Sequence, residues 1–283
     1  MKIKSLLIVF LAVLTTLGLV AQERKESIPN PETRSRSSLS VTPMSSGVTA
    51  QQMVETILGQ GVTFSNVQYA GAEIASGLFS GGDIAGIGID DGIILSSGAA
   101  SNAIGPNDAS GTSTSNGLPG DPDLNALGYS TYDASVLEFD FIPETNNLSF
   151  SFVMGSEEYP EYINSYPDVF AFFVNGVNIA FVPGTTIPIS IGTINHEQNS
   201  EYYISNTPPV FDIQCDGFTV EFQLFATVTP NVVNHIKMAI ADVNDYSLDT
   251  WIFLKSSSFV GVNLPPVAQG VPAVQPIELT VGE

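Results

Sequence analysis

The chain has 283 residues, with 29 Asp and Glu against 8 Lys and Arg, giving a formal net charge of −21 at pH 7. From Arg36 to Lys237 it carries no lysine or arginine between the two, but 21 carboxylates. That balance excludes nucleic acid and anionic membranes as partners, because both are held through Lys and Arg.

A carboxylate buried within that stretch has to be hydrogen-bonded, protonated or bound to a cation, since an unpaired buried charge costs several kcal/mol. Outside cells the abundant hard cation is calcium, which takes carboxylate and carbonyl oxygens.

Lys2 and Lys4 precede an apolar run from Leu6 to Ala21, and Gln22-Glu23-Arg24-Lys25-Glu26 ends it abruptly. This predicts a secretory signal peptide over residues 1–21 and an extracellular or cell-surface protein. Residues 22–45, rich in Ser, Pro, Thr and charge, read as a disordered linker. Residues 46–262 form the body, long enough for one large all-β domain. Cys215 is the only cysteine, so no intrachain disulfide is available, and it reads as a small packed side chain.

Thr49 can cap a helix from Ala50 to Leu58 that presents Met53, Val54, Ile57 and Leu58 on one face and stops at Gly59. Later segments alternate with period two in short runs. They are Gly92 to Gly98, Leu137 to Phe141, Leu148 to Met154, Asp168 to Val174, Val220 to Ala226, Ile236 to Ile240 and Trp251 to Leu254. Asn175-Gly176 is a strong two-residue hairpin signal. Together these predict an antiparallel β-sandwich, jelly-roll-like, with one short N-terminal helix. Residues 102–123 read as a long loop, with Asp121-Pro122-Asp123 a plain turn, and Trp251 reads as core. Residues 263–283 read as a Pro-rich linker and the start of a further module cut off at Glu283.

The segment from Ser156 to Asp168 holds Glu157, Glu158, Glu161 and Asp168 with Tyr159, Tyr162 and Tyr166. Neighbours on an extended backbone point to opposite faces, so Glu157 and Glu158 diverge. That argues against a glycosidase pair and suits a cation site that recruits oxygens from distant loops. The alternative is a solvated acidic loop anchored by its tyrosines. Asp242 falls in phase with Ile236, Met238 and Ile240, and Asn244, Asp245 and Asp249 follow within seven residues. An aspartate ending an inward row needs a partner. The candidate calcium ligands are therefore Glu157, Glu158, Asp168, Asp242, Asn244, Asp245 and Asp249. Glu157 or Glu158 is expected to meet Asp242. Tyr159, Tyr162 and Tyr166 are the candidate contacts for an extracellular ligand, a glycan or a protein surface. A turn capped by Asx hydrogen bonds is the competing account of the Asp242–Asp249 segment.

His196 and His235 lack the spacing of a zinc site, and no phosphate-cradling loop is present. The chain therefore reads as non-catalytic. A carbohydrate-active enzyme, a carbohydrate-binding domain and a purely structural spacer are the alternatives.

Phe150-Ser151-Phe152-Val153-Met154-Gly155-Ser156-Glu157-Glu158-Tyr159, Asp168-Val169-Phe170, Val182-Pro183-Gly184-Thr185-Thr186, Asp216-Gly217-Phe218-Thr219 and Ile236 to Asp242 resemble the choice-of-anchor L domain over residues 48–260. Pro167 stands where the family usually has an Asn, removing one oxygen from the loop. The resemblance implies a module of a large exported bacterial surface protein, as in Bacteroidetes proteins that use type IX secretion.

Overall fold

The computed structural model describes residues 38–109, 111–263 and 274–276. The signal-peptide reading and most of the linker and tail readings lie outside the described residues. The linker reading does not hold to residue 45, because Ser40–Pro43 forms an edge strand, β1, with Leu39 and Val41 packed on apolar neighbours. A Ser- and Thr-rich composition hides so short a strand.

Helix α1 (Ala50–Ile57) starts as the sequence predicts. Thr49 Oγ1 accepts from Gln52 N at 3.2 Å, and the Gln52 side chain accepts from Thr49 N at 2.9 Å, a reciprocal capping box. Met53, Val54 and Ile57 are buried, and Leu58, already extended, caps the C-terminus. Thr49→Ala is expected to cost about 1 kcal/mol and so to lower the melting temperature by roughly 2–4 °C for a domain of this size. An unchanged melt would show that packing alone holds the helix.

Next come β2 (Val62–Ala70), β3 (Ser76–Ser80), α2 (Gly82–Ala85), β4 (Asp91–Ser96) and α3 (Pro122–Ala126). The expectation of a single helix is thus corrected by α2 and α3. In α3 the Asp121 side chain caps the first turn, accepting from Asp123 N and Leu124 N, and Pro122 occupies the N1 position where its missing N–H costs nothing. What reads locally as a turn continues as a helix because Leu124 is fully buried.

The remaining strands are β5 (Thr131–Pro143), β6 (Asn147–Ser156), β7 (Val169–Val174), β8 (Val177–Asn178), β9 (Tyr203–Ser205), β10 (Gly217–Thr219), β11 (Phe222–Thr227), β12 (Asn234–Val243), β13 (Thr250–Lys255), β14 (Val260–Val262) and β15 (Val274–Pro276). Asn175 and Gly176, both at positive φ, close the β7–β8 hairpin.

All pairings between these strands are antiparallel, and they build two sheets. The smaller runs β2-β5-β12-β7-β8, and the larger runs β1-β3-β4-β13-β6-β10-β9, with β14 also on β6 and β11 between β6 and β15. Phe150 and Phe152 of one sheet meet Phe172 and Phe170 of the other edge to face, with ring centroids 5.0 and 5.2 Å apart. The fold is an all-β sandwich.

Two more apolar clusters lie on the outer faces. On the larger sheet Phe253, Trp251, Phe79 and Phe218 pack under Leu39, Ile87 and Ala103, and on the smaller sheet Phe173 and Val136 pack near Leu124. Trp251 is core, as its sequence context predicts, with Nε1 donating to Ala99 O at 3.1 Å. Cys215 is buried and unpaired, also as predicted.

Lys237 donates to Asp121 and Asp123, each at 2.6 Å. This cation from just outside the anionic stretch neutralises two of its carboxylates, so the turn reading of Asp121-Pro122-Asp123 missed an ion-paired helix cap. Burial pulls the Lys237 ammonium pKa down, and the two carboxylates more than reverse that.

Candidate metal centre

Strand phase decides where the carboxylates go. Glu158 continues the inward series Phe150, Phe152 and Met154 of β6. Asp168 precedes β7 in phase with Phe170 and Phe172, and Asp242 ends the inward series of β12. Residues Asp168 and Asp242 stand one step beyond the registered pair Val169↔Ala241, hence side by side. Glu158 reaches them from the opposite sheet. All three are at most 2 % exposed.

Asp168 is well supplied with donors, from Val243 N and Thr250 Oγ1, each at 2.8 Å. The Asp242 carboxyl stands beside it, close enough for each to shift the titration of the other. Glu158 Oε1 and Asp242 Oδ1 are buried with no hydrogen-bond partner.

Burial, then the charge of Asp242, pushes the Glu158 carboxyl up to about 10. Burial, then Asp168, pushes Asp242 to about 11, and Asp168 itself is held well above the usual carboxylate range by burial and Glu158. Without a cation, burial and mutual repulsion drive this inner row toward its protonated forms.

Glu157 faces away, as alternation requires. Its backbone N–H donates to Asp249 O at 3.1 Å, and Asp216 N donates to Ser156 O at 3.1 Å. With Gly217 and Thr250 both registered on Ser156, the next residues Asp216 and Asp249 flank Glu157 from either side. This outer row lies on the other face of the larger sheet from the inner one.

Asp249 accepts from Ala99 N, Asn102 Nδ2 and Thr114 N at 2.7–3.0 Å. Gly98 lies so close to its carboxyl that any side chain there would collide with it. Asp133, at φ 47° beside the bulge where β5 and β12 slip register, accepts from Asn116 N and Leu118 N at 2.7 and 2.5 Å. Thr112 N donates to Glu157 Oε2 at 2.9 Å. Amides of alternate residues 112, 114, 116 and 118 are thus hung on three buried carboxylates, and a strap crosses the sandwich end from the larger sheet to β5.

Of the seven predicted ligands, Glu158, Asp168 and Asp242 converge. The half-exposed Asp245 stands close enough to add its charge to Glu158. Glu157 and Asp249 belong to the outer row instead. Asn244 is exposed and donates its amide to Ser165 O at 3.0 Å. Among the described residues no three His, Cys, Asp or Glu side chains form a ready-made metal cage, so calcium here would need carbonyl or hydroxyl oxygens as well.

Tyr159 is not available to a ligand. It is fully buried, its hydroxyl donates to Ile194 O at 2.6 Å, and its ring packs on Tyr203. Tyr162 is 43 % exposed and lies edge-on to the partly exposed Tyr166.

Sequence reasoning missed Asp133 and Asp216. Their signal was register: each is fixed opposite another carboxylate or an amide only once strand partners are known.

The model of the Choice-of-anchor L domain matches residues 40–260. The chain belongs to that family. The match opens at Ser40, the first residue of β1. A choice-of-anchor domain is a surface-associated module. No curated protein and no solved structure matches the chain.

Proposed function

We propose that this choice-of-anchor L domain is a non-catalytic binding module of an exported surface protein, and that calcium replaces the protons of its inner carboxylate row. The observation that carries the reading is the pair of orphaned oxygens, Glu158 Oε1 and Asp242 Oδ1, buried against Asp168. Buried polar groups are hydrogen-bonded in the great majority of cases, so two unsatisfied oxygens in one cluster call for an occupant.

Hard oxygen donors without histidine select calcium over transition metals. Ser97, Ser156 and Thr250, all fully buried around the row, add hydroxyl oxygens. Burial of the three carboxyls supports a binding rather than a hydrolytic role, since a glycosidase pair has to meet substrate. Tyr162 and Tyr166, on the same loop as Glu158, supply the surface that an extracellular ligand would touch.

A ligand that binds only the folded state adds about 2.7 kcal/mol at a hundredfold excess over its dissociation constant. Chelator is therefore expected to lower the melting temperature by roughly 5–10 °C. Asp242→Asn should shrink the response by the share that the inner site contributes. If wild type melts identically with calcium and with chelator, the inner site does not bind it.

A further inference from the structure

The outer row poses the same problem without depending on the inner one. Asp216, Glu157 and Asp249 end three adjacent strands on one face, and each is at most 8 % exposed. Like charges directly opposite across a strand pair are destabilising. Asp249 has its three donors. Asp216 accepts from Asn107 Nδ2 at 2.7 Å and Thr207 Oγ1 at 3.1 Å. Glu157 has Thr112 N on Oε2 and the Gln214 amide nearby, but Oε1 is buried with no partner.

We infer that Glu157 and Asp216 hold a second divalent cation of the calcium class, on the face of the larger sheet opposite the inner site. Asn107 and Gln214 stand beside it with their amide nitrogens already committed, Asn107 to Asp216 and Gln214 to Ala109 O at 3.1 Å. Gln214 Nε2 also faces Asn107 Oδ1 at 3.4 Å, so the oxygens left for a cation are those of the Glu157 and Asp216 carboxylates, completed by water, a set that calcium accepts. The set contains no histidine, and burial keeps the neighbouring Cys215 thiol protonated, which removes the soft ligand that zinc would use. The competing occupant is a proton on Glu157, since burial, with Asp216 and Asp249 adding, raises that carboxyl to about 8.

Calcium titration of the full chain by calorimetry, after chelator treatment and dialysis, separates the two. Wild type is expected to bind two equivalents. Glu157→Gln, an isostere of the protonated acid, should bind one and melt in chelator at or above wild type. Asp216→Asn should also lose one equivalent, and it decides the matter if Glu157→Gln does not fold. Asp242→Asn should retain the outer ion. Wild-type stoichiometry in both outer-row variants overturns the inference and leaves the inner site standing. Loss of an equivalent in the outer-row variants, with none lost in Asp242→Asn, supports the outer site and sinks the inner one.

Discussion

Calcium-free protein is expected to melt at a higher temperature at pH 5 than at pH 8. Unfolded carboxyls titrate near about 4, whereas Glu157, Glu158 and Asp242 are raised to about 8, 10 and 11 in the fold, chiefly by burial. The folded state therefore binds more protons than the unfolded one from about pH 4 up to those values, and stability declines as pH rises through that window. Each group contributes at most about 1.4 kcal/mol per pH unit, an upper bound that cation binding or local opening reduces. Saturating calcium, which takes the ionised form, should shrink the pH dependence or invert it. Asp242→Asn should reduce the slope of the calcium-free profile, separating this effect from the general repulsion of a chain at −21. A calcium-free protein more stable at pH 8 would mean that these carboxyls are not buried in solution as they are in the fold.

The second large effect is expected from Asp249→Ala. The substitution strands the buried amide of Ala99 and the part-buried amides of Thr114 and the Asn102 side chain. An orphaned buried donor costs about 1–3 kcal/mol. Removing the charge also relieves Glu157, so the net loss should fall near 3 kcal/mol, or roughly 6–12 °C in the melt. The strap should also become cleavable within residues 112–118, read by limited proteolysis and mass spectrometry. Asp249→Asn, which keeps one acceptor, should lose less. An unchanged melt and an uncut strap would show that Glu157 and Asp133 hold it without Asp249.

Local chemistry made much of this readable in advance. The Thr49 cap, the Asn175-Gly176 hairpin and the inward phase of Asp242 each follow from a few adjacent residues, and each is where the sequence placed it. The divergence of Glu157 from Glu158 is also pure alternation. Partnership between strands is not local. Nothing near Asp216 says that β10 lays it against Glu157, and nothing near Asp133 says that a bulge turns it toward the strap. Tyr159 was read as a ligand contact because a tyrosine serves core and surface equally well. Its neighbour Tyr203 lies far along the chain. Alternation also understated burial: Ser149 and Ser151 of β6 are buried beside its phenylalanines, with β11 paired along both and β14 paired on the other side of Ser149.

The margins of the two sheets bear on how such a chain behaves when crowded. Strands β1, β8, β9, β14 and β15 have four residues or fewer, and β1 and β15 end in Pro43 and Pro276. Among the described residues the one long margin, β2, breaks register between Ser65 and Gln68, with Asn66 at φ 54°. An unbroken row of free amides and carbonyls is the template on which a second molecule adds its own strand. Among the described strands every such row is short, kinked or stopped by proline, and the surplus negative charge repels an approaching copy. Molecules packed densely at a surface can therefore sit shoulder to shoulder without zipping into fibres.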